Sequence, residues 1–144
     1  MKEKLLVSAC LLGEAVRYDG KSFDYPWIMT LKERFDLYPF CPEVSGGLSI
    51  PRVPAERKGD KVLTLLGGDV TTAYVLGAEK ALALCRKEEI QKALLKAKSP
   101  SCGKDLIYDG TYTKTLTKGH GVACALLLKA GIDVYTEEEG EKLT

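Results

Sequence analysis

Short apolar runs alternate along this 144-residue chain with stretches whose apolar positions recur at helical spacing. Apolar runs of this kind, bounded by turn residues, predict strands at residues 5–9, 37–40, 62–66, 93–97 and 132–135. Helical spacing predicts helices over residues 26–35, between Asp69 and the charged stretch 86–91, and from the turn at 119–121 to about Ala130. Strands that alternate with helices predict an α/β fold of three layers with a mostly parallel sheet.

Residues 41–61 interrupt this alternation. They show no periodicity and are rich in proline and glycine, so we expect an irregular segment. An irregular stretch of this length inside a compact domain is usually functional rather than a simple connection. Turns are also predicted at Gly13 and at Tyr18-Asp19-Gly20.

The composition fits one soluble domain and excludes several classes of protein. Of the residues, 45% are hydrophobic and 28% are charged, with 21 basic against 20 acidic side chains. This balance disfavours a protein built to hold duplex nucleic acid. The longest apolar run, residues 122–128, is far shorter than the ~20 residues of a membrane span, and residues 1–7 lack the pattern of a signal peptide. We therefore expect residues 1–144 to form a single cytoplasmic α/β domain, whose oligomeric state stays open.

Three of the five cysteines share a position relative to the predicted strands. No two cysteines are spaced as Cys-x-x-Cys, and an odd number without an export signal indicates reduced thiols that bind a metal or react. Cys10, Cys41 and Cys102 each follow a predicted strand, beside glycine or proline. Each one alone is more simply a buried filler. Because the carboxyl ends of parallel strands share one edge of a sheet, the three together predict a site there.

The other two cysteines and the single histidine have simpler interpretations. Cys85 falls on the predicted buried face of the second helix, whose N-cap is Asp69, and Cys124 lies beside leucines of the third helix. The buried face of the second helix is predicted to contain Ala73, Leu76, Ala81, Leu84 and Cys85. His120 stands at a glycine-rich helix start, where a cap or turn role is expected.

Converging thiolates suit two kinds of inorganic centre. Zinc on three cysteines with one open position is conceivable. An iron–sulfur cluster fits better, because its irons favour soft thiolate ligands and Cys-Pro is a familiar neighbour of clusters. A cubane cluster on three cysteines leaves one iron open to act as a Lewis acid toward a substrate sulfur. Glu43 then becomes a candidate general acid or base, and Ser99 or Ser101 could donate a hydrogen bond or relay a proton.

Several blocks of the sequence resemble a known bacterial family, the thiouracil desulfidase family. They are Ser8-Ala9-Cys10-Leu11-Leu12-Gly13 with Val16-Arg17-Tyr18-Asp19-Gly20; Cys41-Pro42-Glu43, Gly46-Gly47-Leu48 and Pro51-Arg52-Val53-Pro54-Ala55-Glu56; Ser99-Pro100-Ser101-Cys102-Gly103; and Gly119-His120-Gly121-Val122 with Gly131-Ile132 and Val134. The resemblance covers nearly the whole chain. It departs at Val53, where the family pattern has proline.

The resemblance implies a Rossmann-like fold and a [4Fe-4S] cluster on Cys10, Cys41 and Cys102. It also implies non-redox removal of sulfur from a thiolated pyrimidine such as thiouracil, with release of sulfide. Glu43 matches the acidic residue of the family's Cys-Pro-Glu block. A serine of the Ser-Pro-Ser-Cys block would assist, and the sequence does not choose between Ser99 and Ser101.

Two other functions compete with this one. The first is an iron–sulfur (or zinc) binding protein that acts as a sensor or carrier without desulfidase activity. Glu43 beside Cys41 disfavours it, because a carrier needs no acid/base group at its cluster. The second is a zinc hydrolase resembling the deaminases, but the chain lacks their His-x-Glu signature. The expected partner is therefore a small thiolated base or nucleoside.

Overall fold

A computed structural model describes residues 2–12 and 25–143 of the chain. The elements within these residues are β1 (Glu3–Ser8), a 3₁₀ helix (Ala9–Leu12), α1 (Ile28–Arg34), β2 (Phe35–Phe40), α2 (Pro42–Ser45), β3 (Ala55–Lys58), β4 (Lys61–Thr64), α3 (Thr71–Glu88), β5 (Lys92–Leu95), β6 (Leu106–Tyr108), β7 (Leu116–Lys118), α4 (Val122–Lys129), β8 (Asp133–Thr136) and a second 3₁₀ helix (Glu137–Leu143). The turns predicted at Gly13 and at Tyr18-Asp19-Gly20 lie outside the described residues.

Four parallel strands form the central sheet, in the order β2-β1-β5-β8. The register pairs Leu5 with Leu37 and Leu6 with Ala93, so β1 lies between the two strands that follow it in this sheet. All four carboxyl ends therefore point to one edge. The predicted α/β fold with a mostly parallel sheet is confirmed.

Helices cover both faces of this sheet. Strand side chains alternate between the faces, so Leu6 packs with α3 and α4 on one side while Leu5 and Val7 pack with α1 on the other. Cys85 and Cys124 are 1% and 0% exposed in the first of these cores, which confirms their predicted packing role. No helix in the described part of the chain is both long and apolar enough to cross a membrane.

The middle of the chain departs from two predictions. Residues 41–61 are not irregular throughout, because they contain α2 and β3. The apolar run at 62–66 does not extend the central sheet, since β4 pairs antiparallel with β3 instead. A tight turn at Gly59, whose φ is +61°, brings these two strands together. The polar sequence of β3 gave no strand pattern.

The start and the buried face of α3 also differ from the prediction. Val70, not Asp69, occupies the N-cap position, and the Oδ1 atom of Asp69 accepts the backbone N–H of Thr71 at 2.9 Å. Leu76 is 41% exposed. Ala81 and Cys85 are buried as predicted, and the rest of the buried side is formed by Tyr74, Gly77, Ala78 and Leu82. At Gly77 this side contacts α2, because a Cβ atom there would overlap the backbone of Pro42, and further along it packs against the sheet and α4.

Candidate active site

Three adjacent strands deliver the three predicted cysteines to one edge of the sheet. Cys10 lies in the 3₁₀ helix after β1, Cys41 directly follows β2, and Cys102 lies in the loop after β5. Cys10 belongs to the core on one face of the sheet, and Cys102 belongs to the core on the other face. All three nevertheless line a single cavity of about 430 Å³. Their role as ligands stays a prediction.

The same cavity contains some of the predicted catalytic side chains and several charged ones. The lining includes Glu43 and Ser99 but not Ser101. Its other polar members are Ser8, Arg52, Glu56, Tyr74, Lys96, Lys98 and Tyr108. The cavity thus combines three thiols with a carboxylate, which is the combination that the sequence predicted.

Cys102 has the most enclosed of the three thiols, with 5% of the residue exposed. Burial is the main reason that the pKa of this thiol is raised. Cys41, Cys10 and Glu43 raise the pKa further through their charges, and the hydroxyl of Ser8, 3.5 Å from the Cys102 Sγ, lowers it. A thiol in such a place ionises readily only when a positive centre binds it.

Cys41 lies at the N-terminus of α2, where backbone N–H groups are unpaired by the helix. Burial raises the pKa of its thiol. A hydrogen bond from the N–H of Val44 and the Arg52 charge both lower the pKa. The charge of Glu43 acts in the opposite direction.

Glu43 is held in place by a buried network. One oxygen of its carboxylate, Oε2, accepts hydrogen bonds from the Arg52 Nε atom at 3.0 Å and from Arg52 Nη2. Arg52 Nη1 donates to the carbonyl of Ser49 at 2.9 Å, which anchors the guanidinium. Tyr74 adds a hydrogen bond to Glu43, and burial together with the Glu43 charge raises the pKa of that phenol. Arg52 and Glu43 are only 8% and 15% exposed at their side chains, so water screens this pair weakly.

The structure separates the two candidate serines. Ser99 Oγ accepts the backbone N–H groups of Ser101 and Cys102 at 3.0 and 3.1 Å, which leaves its hydroxyl proton available at the cavity wall. Ser101 is fully buried, and its Oγ has no hydrogen-bond partner among the described residues. Its carbonyl accepts N–H groups at the start of α4. Ser101 therefore packs behind the loop that Ser99 shapes.

Comparison with known proteins supplies the context for this cavity. The family model named 2-thiouracil desulfurase matches residues 5–139. The chain belongs to this family. A solved structure of the [4Fe-4S]-dependent thiouracil desulfidase TudS is 48% identical, with a TM-score of 0.92 over 99% of this chain and 95% of that one. Uncharacterized protein YbbK of Bacillus subtilis (strain 168) is 39% identical over 94% of this chain and 96% of its own length. The resemblance seen in the sequence is thereby confirmed.

The donor set of this 2-thiouracil desulfurase family member fits a cluster better than a single ion. Within residues 2–12 and 25–143, no group of three or more His, Cys, Asp or Glu side chains is arranged to hold one metal ion. Zinc needs every thiolate within about 2.3 Å of one point. A cluster spreads its cysteines over different irons, so they can stand further apart. Three thiols around one cavity therefore suit the cluster.

Sequence reasoning missed the side chains that support this site. Ser8 and Arg52 lie inside the quoted family blocks but carried no assigned role. Tyr74 lies on α3, where apolar spacing marked other residues, and only the folded chain brings it to Glu43. His120 behaves as expected of a turn residue, because its Nδ1 accepts the backbone N–H of Asp105 at 3.1 Å.

Proposed function

We propose that this chain is a [4Fe-4S]-dependent desulfidase that converts a thiolated pyrimidine and water into the oxo-pyrimidine and hydrogen sulfide. Membership of the 2-thiouracil desulfurase family and the likeness to TudS support this activity. The observation that carries it is the single cavity lined by Cys10, Cys41, Cys102 and Glu43. No net oxidation or reduction is needed, because one C=S bond is replaced by a C=O bond.

We infer that Cys10, Cys41 and Cys102 would hold the cluster. When bound on three thiolates, it supplies an iron without a protein ligand, which acts as a Lewis acid toward the substrate sulfur. The chain must exclude other thiols and bulk water from this iron. The apolar wall formed by Phe40, Pro42 and Pro54 contributes to that exclusion.

Glu43 is the proposed general base and acid. Its carboxylate takes a proton from the water that attacks the ring carbon and returns a proton to the departing sulfur. Arg52 holds Oε2 of Glu43 and thereby fixes the direction from which that proton is taken. Ser99, rather than Ser101, is the proposed hydrogen-bond donor to the substrate, because only Ser99 lines the cavity.

The substrate inferred from this cavity is a free thiolated base or nucleoside rather than a nucleic acid. About 430 Å³ is the size of a small-molecule site. The formal net charge of +1 supplies no basic footprint for duplex binding. Reduced thiols and an oxygen-sensitive cluster fit a cytoplasmic location, which is part of the proposal.

Anaerobic reconstitution followed by assay with 2-thiouracil tests the function. We expect iron, acid-labile sulfide and steady sulfide release from the wild type. Glu43→Gln should keep the iron content and lower turnover by about 100-fold or more, since general acid–base catalysis contributes about 10²–10⁴-fold. Glu79→Gln, an exposed carboxylate on α3, is the matched control and should match the wild type.

The other outcomes separate the alternatives. A loaded cluster without sulfide release from a panel of thiolated bases would favour a sensor or carrier. A colourless protein with stoichiometric zinc would favour the zinc enzyme. Full turnover by Glu43→Gln would remove Glu43 from the chemistry.

A further inference from the structure

Ser8 is a buried hydroxyl that joins two strands to one of the cavity thiols. It is the last residue of β1 and is 3% exposed. Its Oγ accepts the backbone N–H of Lys96, just past β5, at 3.0 Å. The same Oγ lies 3.5 Å from the Sγ of Cys102.

The direction of these two hydrogen bonds follows from the atoms involved. A backbone N–H can only donate, so Ser8 Oγ must be the acceptor toward Lys96. The single hydroxyl proton of serine is then available for the sulfur. When Cys102 is a thiolate it has no proton of its own, so Ser8 is the donor in this pair.

We propose that Ser8 is a positioning residue for the cluster, whose hydroxyl orients the Cys102 thiolate and raises the reduction potential of the cluster. This inference rests on the proposed function, because it requires a cluster on Cys102. A hydrogen bond withdraws negative charge from the ligand sulfur, and it stabilises the reduced cluster more than the oxidised one. Ser8 and Cys102 are both almost completely buried, so water cannot replace the Ser8 hydroxyl as donor in a variant that lacks it.

The proposal also assigns a reason for the position of Ser8 in the sheet. The bond to Lys96 fixes the hydroxyl in the register between β1 and the segment that leaves β5. That segment leads through Ser99 to Cys102. The pairing of β1 with β5 therefore orients Cys102, which is a proposed cluster ligand.

Three variants of Ser8 test this role on the reconstituted protein. Ser8→Ala removes the hydroxyl, whereas Ser8→Thr retains it. Ser8→Val is the matched control for Ser8→Thr, because the two side chains have similar volume and differ in the hydroxyl. The readouts are the midpoint potential of the cluster, the Fe–S(Cys) stretching bands in resonance Raman spectra, and sulfide release.

We expect the midpoint potential to shift downward in Ser8→Ala and Ser8→Val and to stay near the wild-type value in Ser8→Thr. The Fe–S(Cys) bands should shift in the same two variants.

Equal potentials in Ser8→Thr and Ser8→Val would overturn the proposal, even if Ser8→Ala fails to fold. If both variants shifted by the same amount, packing rather than the hydroxyl would be responsible for the shift. A wild-type protein that assembles no cluster would refute the proposed function itself. The two failures are therefore distinguishable by the iron content of the wild type.

Discussion

Arg52 determines how Glu43 is presented to the cavity. Its Nε and Nη2 atoms both donate to one carboxylate oxygen, while Nη1 is tied to the backbone at Ser49. A guanidinium can make all three bonds because its donors are fixed in one plane. An ammonium group at the same place would keep the charge but lose this geometry. The forked contact is therefore separable from the charge by mutation.

Arg52→Lys should keep the fold and the cluster while lowering kcat. A proton acceptor displaced by about 1 Å loses roughly 10- to 100-fold in rate, so we expect a loss of that size with KM little changed. Steady-state kinetics with 2-thiouracil and iron analysis measure both. Arg57→Lys is the matched control, since Arg57 donates to the backbone carbonyls of Gly59 and His120 but does not line the cavity. Equal kinetics in the two variants would contradict the role of Arg52.

At the scale of elements, the contact between α2 and α3 positions both Cys41 and Glu43. α2 has only four residues, so its placement depends on its neighbours. A Cβ atom at Gly77 would overlap the carbonyl of Pro42, and one at Gly46 would overlap the carbonyl of Ala73. The two backbones therefore pack at glycine positions, and the site inherits its geometry from that packing.

Gly77→Ala should destabilise the protein although alanine is the better helix former. Helix propensity favours alanine by about 1 kcal/mol, but overpacking against a backbone carbonyl costs about 1–3 kcal/mol or more. We expect a net loss of about 1–2 kcal/mol in the free energy of unfolding and a lower iron content, because α2 is displaced. Urea unfolding and iron analysis check this. Val75→Ala, which is 41% exposed on the same helix, should change stability by less than about 0.5 kcal/mol.

The elements that the sequence predicted well are those with a strong local pattern. The four strands of the central sheet have apolar runs because both of their faces are covered, and all four were found. β3 and α2 were missed because their sequences, AERK and PEVS, have no apolar period. Their structure comes from a pairing and a packing contact with other segments, which periodicity does not contain.

The candidate site divides in the same way. The positions of Cys10, Cys41 and Cys102 after their strands could be predicted, because strand ends are local features of the sequence. In a parallel sheet the carboxyl ends of the strands share one edge, which brings the three cysteines together. The contact of Tyr74 with Glu43 joins residues of separate elements and was not readable. The choice between Ser99 and Ser101 likewise depends on which side chain reaches the cavity. The sequence of a turn does not show which of two nearby side chains faces a cavity.

At the scale of the whole molecule, the two ends of the chain meet in one core. Leu5 of β1 and Leu143 of the second 3₁₀ helix belong to the same buried cluster. We propose on this basis that residues 1–144 form one domain and unfold in a single transition. The second 3₁₀ helix is also tied to the cavity wall, since Glu137 bonds to Lys96 at 2.7 Å and accepts the N–H of Ala97 at 2.6 Å.

Glu139 in this 3₁₀ helix makes the stability of the fold depend on pH. Its carboxylate accepts hydrogen bonds from Lys104 at 3.1 Å, from Lys142 at 3.3 Å and from the N–H of Thr136 at 3.3 Å. Burial raises the pKa of this carboxyl, but the three bonds outweigh it and hold the pKa below the ordinary glutamate value. A folded pKa below the unfolded one means that the ionised carboxylate stabilises the folded state above the unfolded pKa. That contribution disappears as the pH falls through the folded pKa.

Glu139→Gln should therefore lower the free energy of unfolding by on the order of 1 kcal/mol at neutral pH. The difference from the wild type should shrink below about pH 4, because protonation of Glu139 weakens the same bonds in the wild type. Urea unfolding from about pH 7 to about pH 3 measures both proteins in the region where glutamate titrates. Glu138→Gln is the matched control, since Glu138 is the exposed neighbour in the same 3₁₀ helix. It should run parallel to the wild type. A deficit in Glu139→Gln that is independent of pH would show that the side chain contributes by packing and not by its charge.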